Sequence, residues 1–522
     1  MSKNQAPSIF NDVIGPVMRG PSSSHVAGAA RIGAMVRQAA AGRIKRVRVL
    51  FDVNGSLAES HEGHGTDMGF ACGLLGIPLT DERVDAYREL VPEQGIDLRY
   101  EITDYGAEHP NFYKILVETL SGEEIYMNAI STGGGMIEVT SIDGIPVTMQ
   151  GDFYEVCCIV DENTELPKMC QMKEWFSNLE VCTEQAEAGR KLINLKLSSP
   201  LGDSEREKIE NIWSPIRLYF FSPILPTHSS AECCVPFRTA EELLAYNRDR
   251  NLPLWELAVI YESARGQTSG EQVMDQMREL AEIMNKSACR GLEGTCYEDR
   301  ILHAQAREIS KAEDSGRLIP GTVMNEAIRM ITAIMEAKSA MEVIVAAPTA
   351  GSCGCLPGTL LALEKSLQLT RDDTVKGLLA AGLIGVFFAK QATFAAEVGG
   401  CQMECGAGSG MAAAGAAQMM GASAKECIGA ASVALQGLTG LACDPVANRV
   451  EVPCLNKNIV GGMNALSSAN MMLSGFDPVI PLDETIKAMY DVGMKLPLEL
   501  RCTLGGLGKT KTSMEIRKRL EQ

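Results

Sequence analysis

Residues 377–389 read GLLAAGLIGVFFA, an unbroken apolar run closed by Lys390. A bilayer span needs about 20 such residues, so this run is too short to cross a membrane and reads as a helix buried in protein. The texture continues outward from it. Residues 272–292, 323–340, 357–369, 411–420 and 424–438 show helical spacing with Ala, Gly and Met on their apolar faces and almost no strand signal. Side chains this small let helices approach closely, so the sequence from about Pro236 onward predicts a compact helical domain around buried central helices. Thr239 stands where an N-cap would open the first of them.

The pattern changes upstream. Residues 46–54, RVRVLFDVN, alternate and are β-rich, as are residues 125–130, with glycine-rich turns and a short apolar helix at 67–75 between them. Residues 156–234 differ again: a helix-like stretch at 204–212 lies between β-like runs at 192–197 and 216–221. The expected fold class is α+β. It comprises an N-terminal mixed α/β domain over 1–155, a linker or small β-α-β insert over 156–234, and a mostly all-α domain over 235–522. There is no fixed-period repeat.

Composition narrows the function. Hydrophobic residues make up 46% of the chain and charged residues 22%, enough to bury large cores and too apolar for disorder. A formal charge of −18, offset by no basic run, argues against nucleic acid or an anionic membrane as partner. Small molecules and further copies of the chain are the expected partners. The opening MSKNQAPSIFNDVIGP lacks the cationic-then-apolar pattern of a secretory signal, so the expected location is cytoplasmic. In that reducing compartment the 17 cysteines are buried small hydrophobes, reactive thiols or metal ligands rather than disulfides.

Three cysteines stand out by position. Cys401 follows two glycines that break a helical run, Cys443 precedes Asp444-Pro445, and Cys454 follows Pro453. All three are expected at helix–loop junctions, where backbone freedom lets thiolates converge. Three thiolates from one helical domain can hold a cubane cluster with one iron open. The spacing fits three buried structural cysteines as well, and Cys401 can instead face Cys405 one helical turn away. Zinc fits less well, since no CxxC knuckle occurs and the histidines lie elsewhere in the sequence. Cys353 and Cys355, in the small-residue segment AAPTAGSCGCLPG (346–358), are further metal candidates in a loop suited to lining a buried site.

Polar constellations lie mainly in the N-terminal part. In GPSSSHVAG (20–28), Ser22, Ser23, Ser24 and His25 can hold an anion, or simply cap a helix. In GHGTD (63–67), His64 between glycines suits a general acid or base, with His61 as competitor. HPN (109–111) and STGGG (131–135) follow; the triple glycine permits close ligand approach or an ordinary turn. No dinucleotide or P-loop fingerprint occurs.

Taken in order, these motifs resemble the iron–sulfur-dependent bacterial L-serine dehydratases. GPSSSHVAG, GHGTD, HPN and STGGG match the order of that family's N-terminal β-domain. PFRTAEELL, AAPTAGSCGCLPG, GCQMECG, CDPVANRVEVPC and GGLG match the order of its helical catalytic domain. The resemblance covers nearly the whole chain outside 156–234. It implies a [4Fe–4S] cluster on Cys401, Cys443 and Cys454, with the open iron acting as a Lewis acid and His64 as the base. It also implies substrate contacts from Ser22, Ser23, Ser24, His25, Thr66, His109, Asn111, Gly133, Gly134, Gly135, Thr349 and Ser352. The expected reaction is loss of water from L-serine to give pyruvate and ammonia, in a homodimer by family analogy. Two features depart from the pattern. A Ser-Gly-Leu-Thr-Gly-Gly stretch that contacts serine in the family is replaced by residues 294–303, GTCYEDRILH, which favours a sibling lyase on another β-substituted acid such as L-cysteine. The last cysteine is Cys502, ahead of a basic, helical-looking tail, so no cap on the open iron is expected from the extreme C-terminus. A non-catalytic iron–sulfur protein is the remaining alternative.

Overall fold

The computed structural model describes residues 6–62, 64–230, 234–298, 300–503 and 505–520. Gly63 of GHGTD and Asp299 of the 294–303 stretch lie outside the described residues. The chain forms two compact units, Ser24–Cys233 and Met1–Ser23 joined with Cys234–Gln522.

The first unit is mixed. Its strands β1 (Ile44–Asp52), β2 (Asp97–Thr103), β3 (Phe112–Thr119), β4 (Glu124–Gly133), β5 (Met136–Ile142) and β6 (Ile145–Met149) form one sheet in the order β2-β1-β3-β4-β5-β6. β1 and β2 pair in parallel and the other neighbours pair antiparallel. The alternation at 46–54 is visible in β1: Val47, Val49 and Phe51 are buried, while Arg46 and Arg48 face outward to Asp97 and Glu101. Helices α1 (Ala27–Ala39) and α2 (Thr66–Leu75) share the core of this sheet through Ile32, Val36, Phe70 and Leu74. They lie backbone to backbone. A Cβ added at Gly73 would stand 1.9 Å from the Ala30 carbonyl oxygen, so only glycine permits the crossing.

A second sheet follows, of β7 (Tyr154–Asp161), β8 (Leu179–Glu187), β9 (Arg190–Leu197) and β10 (Arg217–Phe221) in the order β10-β7-β9-β8. The β-like runs at 192–197 and 216–221 are β9 and β10, and the helix between them is Asp203–Trp213. The strand pairings extend the expected β-α-β element, because β10 and β9 both pair with β7 rather than with each other. β7 runs through residue 155 without a break. Phe176, Ile209 and Trp213 pack against this sheet as a core of their own.

The second unit is helical, as the small-residue segments predict. Its main helices are α3 (Gly270–Glu293), α4 (Thr322–Ser339), α5 (Cys355–Leu367), α6 (Arg371–Gln391), α7 (Cys405–Met419), α8 (Ala424–Leu438) and α9 (Cys454–Leu473). α7 is the axis: residues 405–418 are all buried, and it packs against α5, α6, α8 and α9. Gly377 on α6 and Gly415 on α7 meet backbone to backbone, a Cβ at Gly415 falling 2.8 Å from the Gly377 carbonyl oxygen. The apolar run at 377–389 is thus covered by protein. No helix among the described residues is long and apolar enough to cross a membrane.

The N-terminal segment belongs to this helical unit. The Ser8 hydroxyl donates to Glu262 Oε1 at 2.5 Å, the Ile9 N–H donates to Glu262 Oε2 at 2.8 Å, and the Tyr261 hydroxyl donates to the Pro7 carbonyl at 2.8 Å. A short strand, Val17–Arg19, pairs antiparallel with Val343–Val345.

Candidate active site

Five sulfurs gather in the helical unit. Gly400, at φ +79°, ends the short helix Ala396–Gly399 and turns the chain into Cys401; a side chain there would also strike the Leu441 carbonyl oxygen at 2.9 Å. Gln402 locks the turn onto the segment ahead of Cys443. Its N–H donates to the Leu441 carbonyl at 3.0 Å, and its Oε1 accepts from the Gly440 N–H at 2.8 Å. Cys443 lies in a two-way backbone pairing with the C-terminal segment. It donates to the Leu500 carbonyl at 2.8 Å and accepts from the Cys502 N–H at 2.9 Å. Cys401, Cys405 and Cys443 share one buried cluster with Cys502 packed against it. Cys454 opens α9 directly after Pro453, as its position in the sequence predicts, and is also buried.

The thiols interact directly. Hydrogen bonds from the Cys405 and Cys443 thiols hold the Cys401 thiol well below its usual range against the opposing effect of burial, and the Lys457 cation adds to them. Cys443 moves up as donor to Cys401 and neighbour of Cys502, and Cys405 moves up through its bond to Cys401. Burial and then the charge on Cys401 raise Cys454. Lys457 is fixed nearby by the Ala442 carbonyl and Asp444, each at 2.6 Å. Among the described residues no set of three or more His, Cys, Asp or Glu side chains is spaced around a single metal ion. The donors are all sulfur, which suits a soft centre such as an iron–sulfur core.

Asn458, one turn into α9, ties the surroundings together. Its Nδ2 donates to the Gly351 carbonyl at 2.9 Å, the Cys454 carbonyl at 2.8 Å and the Cys405 sulfur at 3.6 Å. Its Oδ1 accepts from the Cys355 N–H at 2.9 Å. This brings the 346–358 loop to the cysteines. Thr349 and Ser352 are buried there, 3.1 Å apart through their hydroxyls, and Thr349 donates to Glu404 Oε1 at 2.8 Å. Burial and the charge on Cys401 push Glu404 up to about 8. Cys353 and Cys355 belong to the apolar packing: burial pushes both thiols up to about 12, and Cys353 lies against the Met335 sulfur at 3.9 Å.

The 294–303 stretch is bound to the segment that carries Cys454. Glu451 Oε2 accepts from the Tyr297 hydroxyl at 2.8 Å, the Ile301 N–H at 3.2 Å and the Leu302 N–H at 3.1 Å. Arg300 stacks over the Tyr297 ring at 4.2 Å.

In the mixed unit, His25 and His64 meet edge to face with ring centroids 4.8 Å apart. His25 is buried, and burial together with the His64 charge lowers it from 6.5 to about 3. The Ser24 carbonyl accepts from the Ser131 hydroxyl at 2.9 Å, which joins the SSSH loop to STGGG. Gly133, Gly134 and Gly135, at φ +108°, +61° and +84°, make the hairpin turn between β4 and β5, and Arg31 donates to the Gly135 carbonyl at 2.6 Å. Thr66 opens α2 and is buried. The Asn111 N–H donates to His109 Nδ1 at 3.1 Å, and burial lowers His109. His61 is differently placed. Its Nδ1 lies 3.1 Å from the Leu57 carbonyl and its ring packs on Phe51 and Tyr100, at 5.4 and 5.9 Å. Ser22 and Ser23 fall at the end of the helical unit's N-terminal segment, Ser23 buried.

The depressed His25 has a measurable consequence. The unfolded chain protonates this histidine near pH 6.5 and the folded chain only near 3, so stability is full above 6.5 and falls as pH drops through that window. Each pH unit inside the window costs up to about 1.4 kcal/mol. Chemical denaturation of the wild type at pH 7 and 5 is expected to show this loss, and His25→Asn is expected to flatten it.

Sequence reasoning missed Cys502, Gln402, Glu404, Asn458 and Glu451. Cys502 carried a readable signal as a further thiol in a cysteine-rich half. The others are ordinary polar residues that gain meaning only from long-range pairing.

Comparison with known proteins matches both units. A family model described as serine dehydratase beta chain matches residues 12–99, and one described as serine dehydratase alpha chain matches residues 249–507. The probable L-serine dehydratase alpha chain of Bacillus subtilis (strain 168) is 35% identical over 285 residues, covering 54% of this chain and 95% of that protein. The probable L-serine dehydratase beta chain of the same organism is 34% identical over 214 residues, 39% of this chain and 94% of that protein. L-serine dehydratase 2 of Escherichia coli (strain K12) is 26% identical over 509 residues, 93% of this chain and 95% of that protein.

Proposed function

The chain belongs to the serine dehydratase family, and from that membership we propose that it is an L-serine ammonia-lyase. Water leaves L-serine to give an enamine, which tautomerises and is hydrolysed to pyruvate and ammonia. The observation that most supports a metal-assisted elimination is the buried gathering of Cys401, Cys405 and Cys443 with Cys502 packed against it. Cys401, Cys443 and Cys454 are the residues we assign to hold a [4Fe–4S] cluster. When bound, such a cluster supplies a Lewis-acidic iron for the substrate hydroxyl. The protein's own part is proton transfer and positioning. His64 is assigned as the base that takes the Cα proton, its ring braced by His25, which burial keeps neutral. Ser22, Ser23, Ser24, His25, Thr66, His109, Asn111, Gly133, Gly134, Gly135, Thr349 and Ser352 are assigned to substrate binding. Residues 235–522 are assigned as the catalytic domain, to which the segment ahead of Ser24 adds, with the rest of 1–155 as the β-domain and 156–234 as an insert. On the family analogy the enzyme works as a cytoplasmic homodimer.

One observation favours a second reading, a sibling lyase acting on another β-substituted amino acid such as L-cysteine. The 294–303 stretch departs from the family's serine-contacting sequence and is pinned to Glu451 by three hydrogen bonds. Anaerobic purification with iron and sulfide analysis, followed by a panel of L-serine, L-threonine and L-cysteine, separates the readings. Iron and sulfide with pyruvate and ammonia from L-serine are expected. Sulfide release from L-cysteine with no L-serine turnover would replace the first reading by the second.

A further inference from the structure

One face of α4 carries Ile331, Met335 and Lys338, spaced as successive neighbours on a helix. Ile331 covers Gly358 and Gly462, where an added Cβ would fall 2.6 and 2.5 Å from its side chain. Met335 lies over Gly354 and meets the Cys353 sulfur at 3.9 Å. Lys338 continues this packed stripe and is 0% exposed. A lysine is almost never fully buried unless an anion is paired with it. Here the Nζ donates to the Val450 carbonyl, just ahead of Cys454, and among the described residues it forms no ion pair. Lys457 on α9 differs: it is matched by Asp444 at 2.6 Å.

The Lys338 charge is felt on the sulfur side of the helix. It lowers Cys454, Cys353 and Glu404, in each case against the larger upward effect of burial. A buried cation is costly unless an anion compensates it. The last turn of α4 favours a positive charge, but a helix end favours it equally in water and gives no reason for burial. Three cysteine thiolates on a resting [4Fe–4S] core carry one net negative charge, because the core's two positive charges offset two of the three. Asp444 already neutralises Lys457, so Lys338 is the cation left to match that charge. Its complete burial also keeps it from touching a substrate, so its influence is electrostatic.

We propose that Lys338 is the buried counter-charge of the cluster held by Cys401, Cys443 and Cys454, a positioning residue that retains the cluster and sets its electron affinity. The proposal rests on the cluster assignment made above. It adds a residue outside every motif that carries the family likeness.

Lys338→Gln tests it, because the amide removes the charge and keeps an N–H for the Val450 carbonyl. The anaerobically purified full chain is compared with wild type in two forms, loaded and stripped of iron. In the loaded form the variant is expected to give up iron to a chelator about tenfold faster or more, as for a lost charge in a medium of intermediate polarity. Its cluster is expected to accept an electron only at a more negative potential, followed by electron paramagnetic resonance. In the stripped form the sign reverses: the variant is expected to melt at or above the wild-type temperature, because an uncompensated buried cation has gone. Unchanged potential and iron release in the variant would overturn the proposal. So would an equal fall in melting temperature in both forms, the mark of a packing or tethering lysine, or a variant that fails to fold. Iron and sulfide in the wild type report separately on the cluster. Their absence removes the cluster assignment and this proposal with it, whereas a loaded wild type and an indistinguishable variant remove only the role of Lys338.

Discussion

Cys443→Ala is expected to abolish turnover of L-serine and, in the same preparation, the iron and sulfide that accompany the anaerobically purified protein. Cys443 is the middle of the sulfur group: its thiol donates to Cys401, and its backbone is fixed on both sides by Leu500 and Cys502. Alanine leaves that backbone pairing intact and deletes only the sulfur, so loss of fold is not the expected cause. A Lewis-acid contribution of several kcal/mol corresponds to about a thousandfold in rate at 1.36 kcal/mol per decade. A fall of at least about that size is expected in kcat, read as pyruvate formed. Cys353→Ala is the control. Cys353 packs against Met335 outside the sulfur cluster, and its replacement is expected to leave iron content unchanged while costing some core stability. Iron retained at wild-type level in Cys443→Ala would remove the cysteine assignment.

The second large effect is expected at His64. A positioned base contributes about 10²–10⁴-fold, so His64→Ala should lower kcat by that factor with iron content unchanged. Deuterium at Cα of L-serine should then slow the variant at least as much as the wild type, since proton abstraction becomes the harder step. His61→Ala is expected to behave differently. Its ring is part of the packing against Phe51 and Tyr100, so the variant should unfold at lower temperature and keep most of its kcat. Full activity in His64→Ala would transfer the base role elsewhere.

The helical unit was legible because its signal is local. Runs of Ala, Gly and Met with helical spacing, as in residues 405–418, leave no exposed face, and burial on all sides is what the structure contains. The alternation in β1 was equally direct. The three cysteines were legible as junction residues because Gly400, Pro445 and Pro453 punctuate the chain beside them. Sheet order was not legible. The parallel pairing of β1 with β2, and the attachment of both β9 and β10 to β7, depend on contacts between segments far apart in the chain. Cys502 was set aside because it lies ahead of the C-terminal tail. What brings it to Cys443 is a pair of backbone hydrogen bonds, and no side-chain pattern announces those.

The N-terminal segment that bonds to Tyr261 and Glu262 bears on how such an enzyme can be divided. Bacillus subtilis relatives match the two parts of this sequence as separate polypeptides. A gene bisected here between codons 230 and 234 would not yield two self-sufficient products. The leading fragment would carry away a piece of the trailing fragment's interior, and the trailing fragment would expose the hole until the two re-associated. Fusion into one open reading frame makes that complementation unimolecular and hence independent of expression level.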